Sequence, residues 1–505
     1  MLTKLIRGAT ALALALTLAA CSSATESTPG NANPTNSDAS VHIGFVLEPT
    51  GLDMFSTSGA ALRQVELGNV YEGLVRRTHD GAFEPLLAKE WKISDDGLNY
   101  QFTLQDDVTF TDGQKMTSAD VVASLSLTCG EACGGTAETA STRLTAVTSI
   151  KADGDDKVVI TLKQRDWRLI DTLSTDVGAI VPAKHDVDLA QKTNGTGPYQ
   201  VTNWQQGSSI TLTRRDDYWG TKPKNKEVVY HFYKDPSAAA NALASGEIDL
   251  HTAPNADMIE RFTGDDKFVI GEGSSASWMT LGFNNKNEVL SDVRVRRALR
   301  MAVDKDGLIT ALGIKAERVG SMTVPDDPWY TDLTSVDNND KEQAKALLKE
   351  AGQQNLTLTL KVANTYDSKI SEYLAAQYKE IGVTLNIEQM EFATWLEDVY
   401  QKKDYELTMV LHVDPWTLSY YGNPKYYWNY DNPGAQKVLN EAFTATEDRV
   451  AHDKLKQLSE LVTKDAASDW LYAPRTVILA NTSVSGFPTN RINSEFHVWD
   501  IEKSN

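Results

Sequence analysis

The residue types that most often perform chemistry in proteins are present in this chain, but their spacing does not assemble a recognisable catalytic site. The sequence contains no G-x-S-x-G nucleophile turn, no G-x-x-x-x-G-K-[ST] phosphate loop and no G-x-G-x-x-G dinucleotide turn. No two histidines lie within one helical turn, which excludes the H-E-x-x-H zinc motif; the histidines are His42, His79, His185, His231, His251, His412, His452 and His497. We therefore expect no catalytic residues, no metal site and no cofactor.

Adjacent carboxylates, such as Asp95-Asp96 and Asp216-Asp217, are frequent. They are expected as solvated surface groups in a chain with 69 acidic against 49 basic residues and a net charge of −20. A glycosidase uses two carboxylates that need not be close in sequence, so a secreted hydrolase is the enzyme alternative. The acidic balance argues against nucleic acid as a partner, because phosphate binding requires a basic face.

The N-terminus has the composition of an export signal. Lys4 and Arg7 precede an apolar run over residues 9–20, which is too short for an ordinary transmembrane helix. The run ends in Leu18-Ala19-Ala20, and with Cys21 next it resembles the bacterial lipobox, in which the cysteine is lipidated and becomes the first mature residue. We expect a lipoprotein signal peptide over residues 1–20 and a lipid anchor on Cys21 at the extracytoplasmic face of the bacterial membrane. An ordinary secretory signal is the alternative.

Two features downstream fit an extracytoplasmic location. Residues 21–40 are rich in Ser, Thr, Asn, Pro and Ala, so we expect a flexible tether. Cys129 and Cys133 close a small Gly-containing loop, which in an oxidising compartment favours a disulfide over two free thiols. No histidine lies near them in the sequence, which weakens a metal-site interpretation.

At 505 residues the chain is long enough for two or three domains, and strands and helices alternate after residue 40. In the first half, the apolar pattern predicts strands at 41–47, 98–104, 158–162 and 209–213, and helices at 61–71 and from 119. In the second half, it predicts strands at 356–362, 383–387 and 405–411 and helices at 368–381 and 392–400. This spacing favours parallel pairing, and open α/β sheets bind ligands at the carboxyl ends of their strands.

Three blocks of sequence carry a family resemblance. The first spans residues 87–121, with Trp91, Asp96-Gly97, Tyr100-Gln101-Phe102, Asp112-Gly113 and Ala119-Asp120-Val121. The second contains Gly195-Thr196-Gly197-Pro198-Tyr199, Trp204 and Tyr218-Trp219-Gly220. The third contains Phe283-Asn284, the arginine-rich run 292–299 and Asp304-Lys305. In this order they resemble the family 5 extracytoplasmic solute-binding proteins, which are the dipeptide- and oligopeptide-binding components of ABC importers.

The resemblance implies an α/β fold, namely a two-lobed periplasmic-binding-protein-like (class II) clamshell with an extra subdomain in the first lobe. It implies lobe I at residues 41–277 and 479–505, with the extra subdomain near 71–194, and lobe II at 278–478. We expect a hinge near 282–284 and 478–481, and we expect the arginines of the third block to pair with surface acids. The expected partners of this monomeric, non-enzymatic protein are a peptide or other small solute, ABC permease subunits, and the membrane through the lipid anchor.

The resemblance also suggests where the ligand sits. Peptide-binding relatives pair an aspartate of the second lobe with the ligand α-ammonium, and Asp414, before Pro415 and after the predicted strand 405–411, matches it. A ligand-facing acid in the loop after the first strand matches Glu48. Of the seven aromatic residues at 416–430, we expect Trp416, Tyr420 and Tyr421 to line the cavity and about half of the run to pack in the core. The structural alternatives are an Asp-Pro turn for Asp414 and a solvated loop carboxylate for Glu48.

The cargo remains open at this point. Some relatives carry nickel chelates, haem, opines or oligosaccharides, and an Asp-Pro pair after the last strand also occurs in nickel-chelate binders. Asp414 therefore does not decide between a peptide and these other solutes.

Overall fold

The structure is a computed structural model that describes residues 38–57, 60–78, 82–129, 133, 144–184, 187–413, 416–490 and 495–504. Within it, Thr35–Asn505 form one compact unit. The predicted signal peptide, Cys21, nearly all of the predicted tether, Asp414 and Pro415 lie outside the described residues.

Strands and helices alternate along this part of the chain. The strands are β1 (Ser40–Phe45), β2 (Val75–Arg77), β3 (Phe83–Pro85), β4 (Ala88–Ile93), β5 (Asn99–Leu104), β6 (Val147–Ala152), β7 (Lys157–Leu162), β8 (Tyr199–Gln205), β9 (Ser209–Arg214), β10 (Glu227–Phe232), β11 (Leu250–His251), β12 (Phe268–Gly273), β13 (Trp278–Phe283), β14 (Ala316–Glu317), β15 (Thr357–Ala363), β16 (Thr384–Met390), β17 (Leu407–His412), β18 (Ser468–Pro474), β19 (Thr476–Asn481), β20 (Val484–Ser485) and β21 (Glu502–Lys503). The helices are α1 (Ala60–Glu66), α2 (Ser118–Cys129), α3 (Leu169–Leu173), α4 (Pro236–Ser245), α5 (Ala256–Phe262), α6 (Val293–Ala302), α7 (Lys305–Leu312), α8 (Lys341–Glu350), α9 (Ser368–Glu380), α10 (Phe392–Trp395), α11 (Pro433–Phe443) and α12 (Asp448–Lys464). A search of the described helices finds none with the length and apolar character needed to cross a bilayer.

A seven-stranded sheet forms lobe I and gathers segments from both ends of the folded region. Its strand order is β12-β19-β11-β1-β10-β9-β8. The strand β1 pairs in parallel with β10 and β11, whereas β19 pairs antiparallel with β11 and β12. Val41, Ile43 and Phe45 alternate along β1 and are buried in one core with Leu250 and Ile478. The two ends of the chain therefore share one hydrophobic core.

A six-stranded sheet with the order β14-β18-β13-β17-β15-β16 forms lobe II. The strand β15 pairs in parallel with both β16 and β17, as the strand–helix–strand spacing predicts. Both faces of the sheet are covered: Leu360 packs on one side with Leu374 of α9, and Val410 packs on the other with Leu455 of α12. A sheet covered on both faces is the normal setting for parallel strands.

A smaller antiparallel sheet with the order β4-β5-β7-β6 lies within the segment that the resemblance assigned to an extra subdomain. Helix α2 packs on it through Val121 and Leu125. The sulfur of Cys129, at the end of α2, is bonded to that of Cys133, and the two Cα atoms are 5.8 Å apart.

The chain crosses between the two large sheets twice. Residues 274–277 join β12 to β13, and Arg475 joins β18 to β19. The predicted hinge positions lie mainly within strands next to these crossings: Gly282 lies inside β13, paired with both Thr408 and Ser468, and residues 478–481 lie inside β19. Ladder hydrogen bonds on both sides hold such residues in place, so we now expect any rotation of the lobes at residues 274–277 and Arg475 instead.

In the arginine-rich run, Arg294 pairs with Asp292 as expected, whereas Arg296 is buried, and so is Arg300, the next arginine of α6. Arg300 is 1% exposed, and its guanidinium lies 3.3 Å from the carboxylate of Asp337 and 3.6 Å from that of Asp469. Arg296 donates a hydrogen bond to the carbonyl oxygen of Ala466 at 2.9 Å. The arginine-rich block therefore fastens α6 to the turn that leads into β18.

Candidate functional site

The carboxyl ends of parallel strands from both large sheets border one cavity between the lobes. Residues 252–257 follow β11, Asp367 follows β15 and Leu411 lies near the end of β17; all line this cavity together with Ser275 and Arg475 of the two crossings. Its volume is about 540 Å³, within the range of about 300–1,000 Å³ that is usual for ligand pockets. Strand ends of this kind are the usual ligand-binding edge of open α/β sheets.

The lining of this cavity combines an apolar wall with charges of both signs. Met279 and Leu312 contribute apolar surface, whereas Asp257 and Lys369 bring opposite charges. Lys315 also lines it, and its Nζ lies 3.1 Å from the carboxylate of Glu272 in β12. An ion pair between the lobes therefore borders the cavity.

Glu48, in the loop after β1, is bound to a hairpin of its own lobe. Its carboxylate accepts a hydrogen bond from the indole N–H of Trp204 at 2.8 Å and from the backbone N–H of Gly207 at 2.9 Å. Gly207 has φ 79°, in the left-handed region that favours glycine in the β8–β9 turn. These bonds fix the loop that follows β1, and a contact of Glu48 with a ligand remains a prediction.

The strand β17 leads directly to the undescribed Asp414. His412, its last residue, has Nε2 3.0 Å from the hydroxyl oxygen of Tyr427, and burial lowers the pKa of His412 to about 3. The imidazole is therefore neutral at physiological pH. Val413, next along the chain, is 42% exposed. The last described residues before Asp414 thus bring no positive charge of their own.

The aromatic run after Asp414 divides between core and surface. Tyr421, Tyr427, Trp428 and Tyr430 are buried, whereas Trp416, Tyr420 and Tyr426 are half-buried. Tyr421 stacks on Trp428 with ring centres 4.2 Å apart and has no exposed surface, so it lies in the core and not on a ligand-facing surface. Tyr420 stacks on Tyr426 at 4.6 Å. Of the three aromatic residues expected in the cavity wall, Trp416 and Tyr420 keep some exposed surface, but none of the three is among the residues that line the cavity of about 540 Å³.

Trp416 belongs to a group of rings that spans the two lobes, which we call the tryptophan cluster: Trp167, Trp329, Trp416 and His452. Trp416 stacks on Trp329 at 5.4 Å with an angle of 24° between the rings. Trp167, from the loop after β7 in the subdomain, meets both edge-on at 6.0 and 6.4 Å, and its ring lies 5.4 Å from that of His452. Offset and edge-on pairs at these distances are favourable beyond their buried area.

The sequence did not identify Trp167 or Trp329 as functional candidates. Trp167 is isolated among polar residues, and its hydrogen-bond partner Asp448 is separated from it by 281 residues. In the sequence, Trp167 and Trp329 are each a single tryptophan outside a periodic segment. Hydrophobic periodicity cannot predict which distant residue a loop residue contacts.

Comparisons with known proteins identify the architecture. A family model described as bacterial extracellular solute-binding proteins, family 5 Middle, matches residues 82–442. The oligopeptide-binding protein AppA of Bacillus subtilis is 25% identical over 547 residues, covering 97% of this chain and 96% of that protein.

Two solved structures share the fold. The periplasmic binding protein DppA from Helicobacter pylori, in complex with the peptide STSA, has a TM-score of 0.78 at 22% identity, covering 93% of this chain and 98% of that chain. NikA from Staphylococcus aureus, in complex with Ni(L-His)2, has a TM-score of 0.75 at 20% identity, covering 92% and 99%. The predicted two-lobed α/β architecture is confirmed.

Proposed function

We propose that this chain, which belongs to the family 5 bacterial extracellular solute-binding proteins, captures peptides between its lobes and delivers them to the permease of an ABC importer. The observation that carries the proposal is the cavity of about 540 Å³ at the facing strand ends of the two sheets. A binding role follows from the family, and the cavity supplies a place for a solute that the lobes can enclose.

Three observations favour a peptide as the cargo. A Bacillus relative that covers nearly the whole chain is named an oligopeptide-binding protein, and a structure of the same fold holds the peptide STSA. The cavity also combines apolar side chains with Asp257, Lys315 and Lys369. A free peptide has a positive end, a negative end and side chains of mixed character, so this lining matches its chemistry.

Within this proposal, Asp414 pairs with the α-ammonium of the peptide. Desolvating an ammonium is costly unless a fixed carboxylate replaces its water, and the neutral His412 does not compete for that carboxylate. We further propose that Trp416 and Tyr420 supply an aromatic wall of the cleft outside the lining of that cavity, with Tyr421 behind them in the core, and that Glu48 faces the cleft from lobe I.

We propose the same extracytoplasmic location that the family has, with Cys21 as the lipid anchor. The motivation is the lipobox after the apolar run. The variant Cys21→Ser is expected to release the protein from washed membranes into the soluble fraction. A variant that stays in the membrane pellet after a carbonate wash contradicts the anchor.

A non-peptide solute is the second candidate cargo, because the fold also occurs in NikA in complex with Ni(L-His)2. A nickel chelate, haem, an opine or an oligosaccharide would occupy the same cleft. A peptide with a blocked N-terminus distinguishes the two classes of cargo. Only the peptide hypothesis predicts that binding depends on a free α-ammonium group.

The test is a thermal-shift panel on the mature protein. Ligands that bind only the folded state raise the midpoint of unfolding in proportion to the logarithm of their concentration. We expect defined di-, tri- and tetrapeptides to raise it, N-acetylated versions to raise it less, and Ni(L-His)2 and haem to leave it unchanged. A shift with a non-peptide solute and none with any peptide would overturn the peptide assignment.

A further inference from the structure

The subdomain of lobe I reaches across to lobe II through the tryptophan cluster. We propose that Asp171 and Trp167 are positioning residues, which hold Trp416 and lobe II against the subdomain and so set how large a fraction of the protein is closed. The proposal rests on the solute-binding role of the family but not on the identity of the solute.

Asp171 lies in α3, is 7% exposed, and binds one group from each lobe. One carboxylate oxygen lies 3.1 Å from Nη1 of Arg77 in β2 of its own lobe. The other oxygen accepts a hydrogen bond from the indole N–H of Trp416 in lobe II. A buried carboxylate requires such partners, and a hydrogen bond to an ionised group is about twice as strong as a neutral one. Separation of the lobes would remove the Trp416 partner, so this contact favours closure.

Trp167 donates two hydrogen bonds to lobe II, one from its backbone and one from its side chain. Its backbone N–H donates to the carbonyl oxygen of Phe443, and its indole N–H donates to the carboxylate of Asp448, both at 2.8 Å. The guanidinium carbon of the adjacent Arg168 lies 3.8 Å from the ring centre of Phe443. Phe443 ends α11 and Asp448 begins α12. The subdomain therefore contacts lobe II where α11 ends and α12 begins.

These contacts affect solute binding because they change the fraction of the protein that is in the closed, binding-competent state. The apparent dissociation constant of a solute equals its intrinsic value divided by the fraction of protein in the competent state. Losing one hydrogen bond to a charged group changes an equilibrium by at least about tenfold, and losing an aromatic pair adds to that change. Asp171 also fixes the ring orientation of Trp416, which is the predicted wall of the ligand site. It therefore influences the solute without touching it.

The test uses the mature protein freed of bound solute by unfolding and refolding. Hydrogen exchange is followed over residues 165–170, which include the Trp167 amide that donates to Phe443. The variants are Asp171→Ala, the conservative Asp171→Asn, and Asp448→Ala at the exposed start of α12. Asp453→Ala, an exposed aspartate on the same helix, is the matched control.

We expect exchange of segment 165–170 to be about tenfold faster in Asp171→Ala and in Asp448→Ala. The radius of gyration should increase in parallel, because an opened clamshell is larger. Asp171→Asn, which keeps an acceptor oxygen for the indole, should fall between Asp171→Ala and the wild type. Asp453→Ala should match the wild type.

Unprotected exchange of this segment in the wild type, or equal rates in wild type and Asp448→Ala, would overturn the proposal. Asp448→Ala changes an exposed side chain, so it keeps the test decisive even if Asp171→Ala fails to fold. The measurement involves no added solute, so its failure leaves the peptide assignment untouched, and failure of the thermal-shift panel leaves this proposal untouched.

Discussion

At the scale of single residues, Glu66 is a carboxylic acid sealed inside lobe I. It ends α1, has no exposed surface, and neither carboxylate oxygen has a hydrogen-bond partner among the residues that the structure describes. Loss of hydration, and to a lesser degree the charge of Asp53, raises the pKa of Glu66 well above its ordinary value. The folded chain therefore keeps a proton that the unfolded chain releases.

This difference predicts a dependence of stability on pH. Because the folded pKa of Glu66 is the higher one, the stabilisation from proton binding is complete below the unfolded pKa, near 4.5, and is lost as the pH rises towards the folded pKa. We predict that Glu66→Gln, which cannot titrate, loses this contribution to the slope of unfolding free energy between about pH 5 and pH 8. Urea unfolding at several pH values measures it, with the exposed Glu388→Gln as control. Equal slopes for wild type and Glu66→Gln would contradict the prediction.

Asp414 carries the second residue-scale prediction. We predict that Asp414→Asn weakens binding of peptides with a free N-terminus by about two to four decades, because removing one member of a buried charged pair costs about 3–5 kcal/mol. N-acetylated peptides have no ammonium to satisfy, so the substitution should barely alter their weaker binding. Calorimetry on both proteins with both peptides forms a double-mutant cycle.

The matched control for this cycle is Asp367→Asn, because Asp367 lines the interlobe cavity and caps α9 by accepting from the backbone N–H of Lys369. We expect it to affect free and acetylated peptides alike. If Asp414→Asn weakens the binding of free and acetylated peptides equally, Asp414 is a turn residue and does not contact the ammonium group.

At the scale of elements, the sequence was most informative where a local pattern alone decides the structure. The helix predicted at 368–381 is observed as Ser368–Glu380, because its apolar face repeats every three to four residues and Gly382 follows with φ 82°. The strand predicted at 98–104 is Asn99–Leu104, because Tyr100, Phe102 and Leu104 alternate into the core.

The failures at this scale share one physical cause, which is contact between distant segments. A charged run such as 292–299 looks solvated in the sequence, but Arg296 is buried because the carbonyl groups of Asp465 and Ala466 arrive from elsewhere. The sequence suggested that Tyr421 contacts a ligand, but in the structure its ring is stacked against Trp428. The tryptophan cluster needs the subdomain and lobe II together, so a pattern in one segment cannot contain it.

The cysteine pair at the end of α2 carries the element-scale prediction. We predict a Cys129–Cys133 disulfide in the native protein, where the two Cα atoms lie 5.8 Å apart. Alkylation of the unreduced, unfolded protein followed by peptide mass analysis should show neither cysteine modified. Reduction should lower stability only slightly, because so short a loop constrains the unfolded chain weakly. Two alkylated thiols in the unreduced protein would contradict the prediction.

At the scale of the whole molecule, two short crossings join the two large sheets, and we predict that rotation at these crossings closes the cleft. Residues 274–277 and Arg475 are the covalent connections between the sheets, and the cavity of about 540 Å³ lies against both. Rotation at these crossings changes the gap between the strand ends without disturbing either core. Contacts such as Lys315–Glu272 near the crossings and Trp167–Asp448 at the subdomain then hold the lobes together.

The central claim is that the cleft carries peptides, and mass spectrometry of small molecules released from the purified, denatured protein tests it most directly. The protein is prepared from its exported form, and Asp414→Asn prepared in parallel serves as the control for retention in the cleft. We expect short peptides with free N-termini in the wild-type extract and their depletion in the variant. Recovery of a nickel chelate, haem, an opine or an oligosaccharide in place of peptides would contradict it.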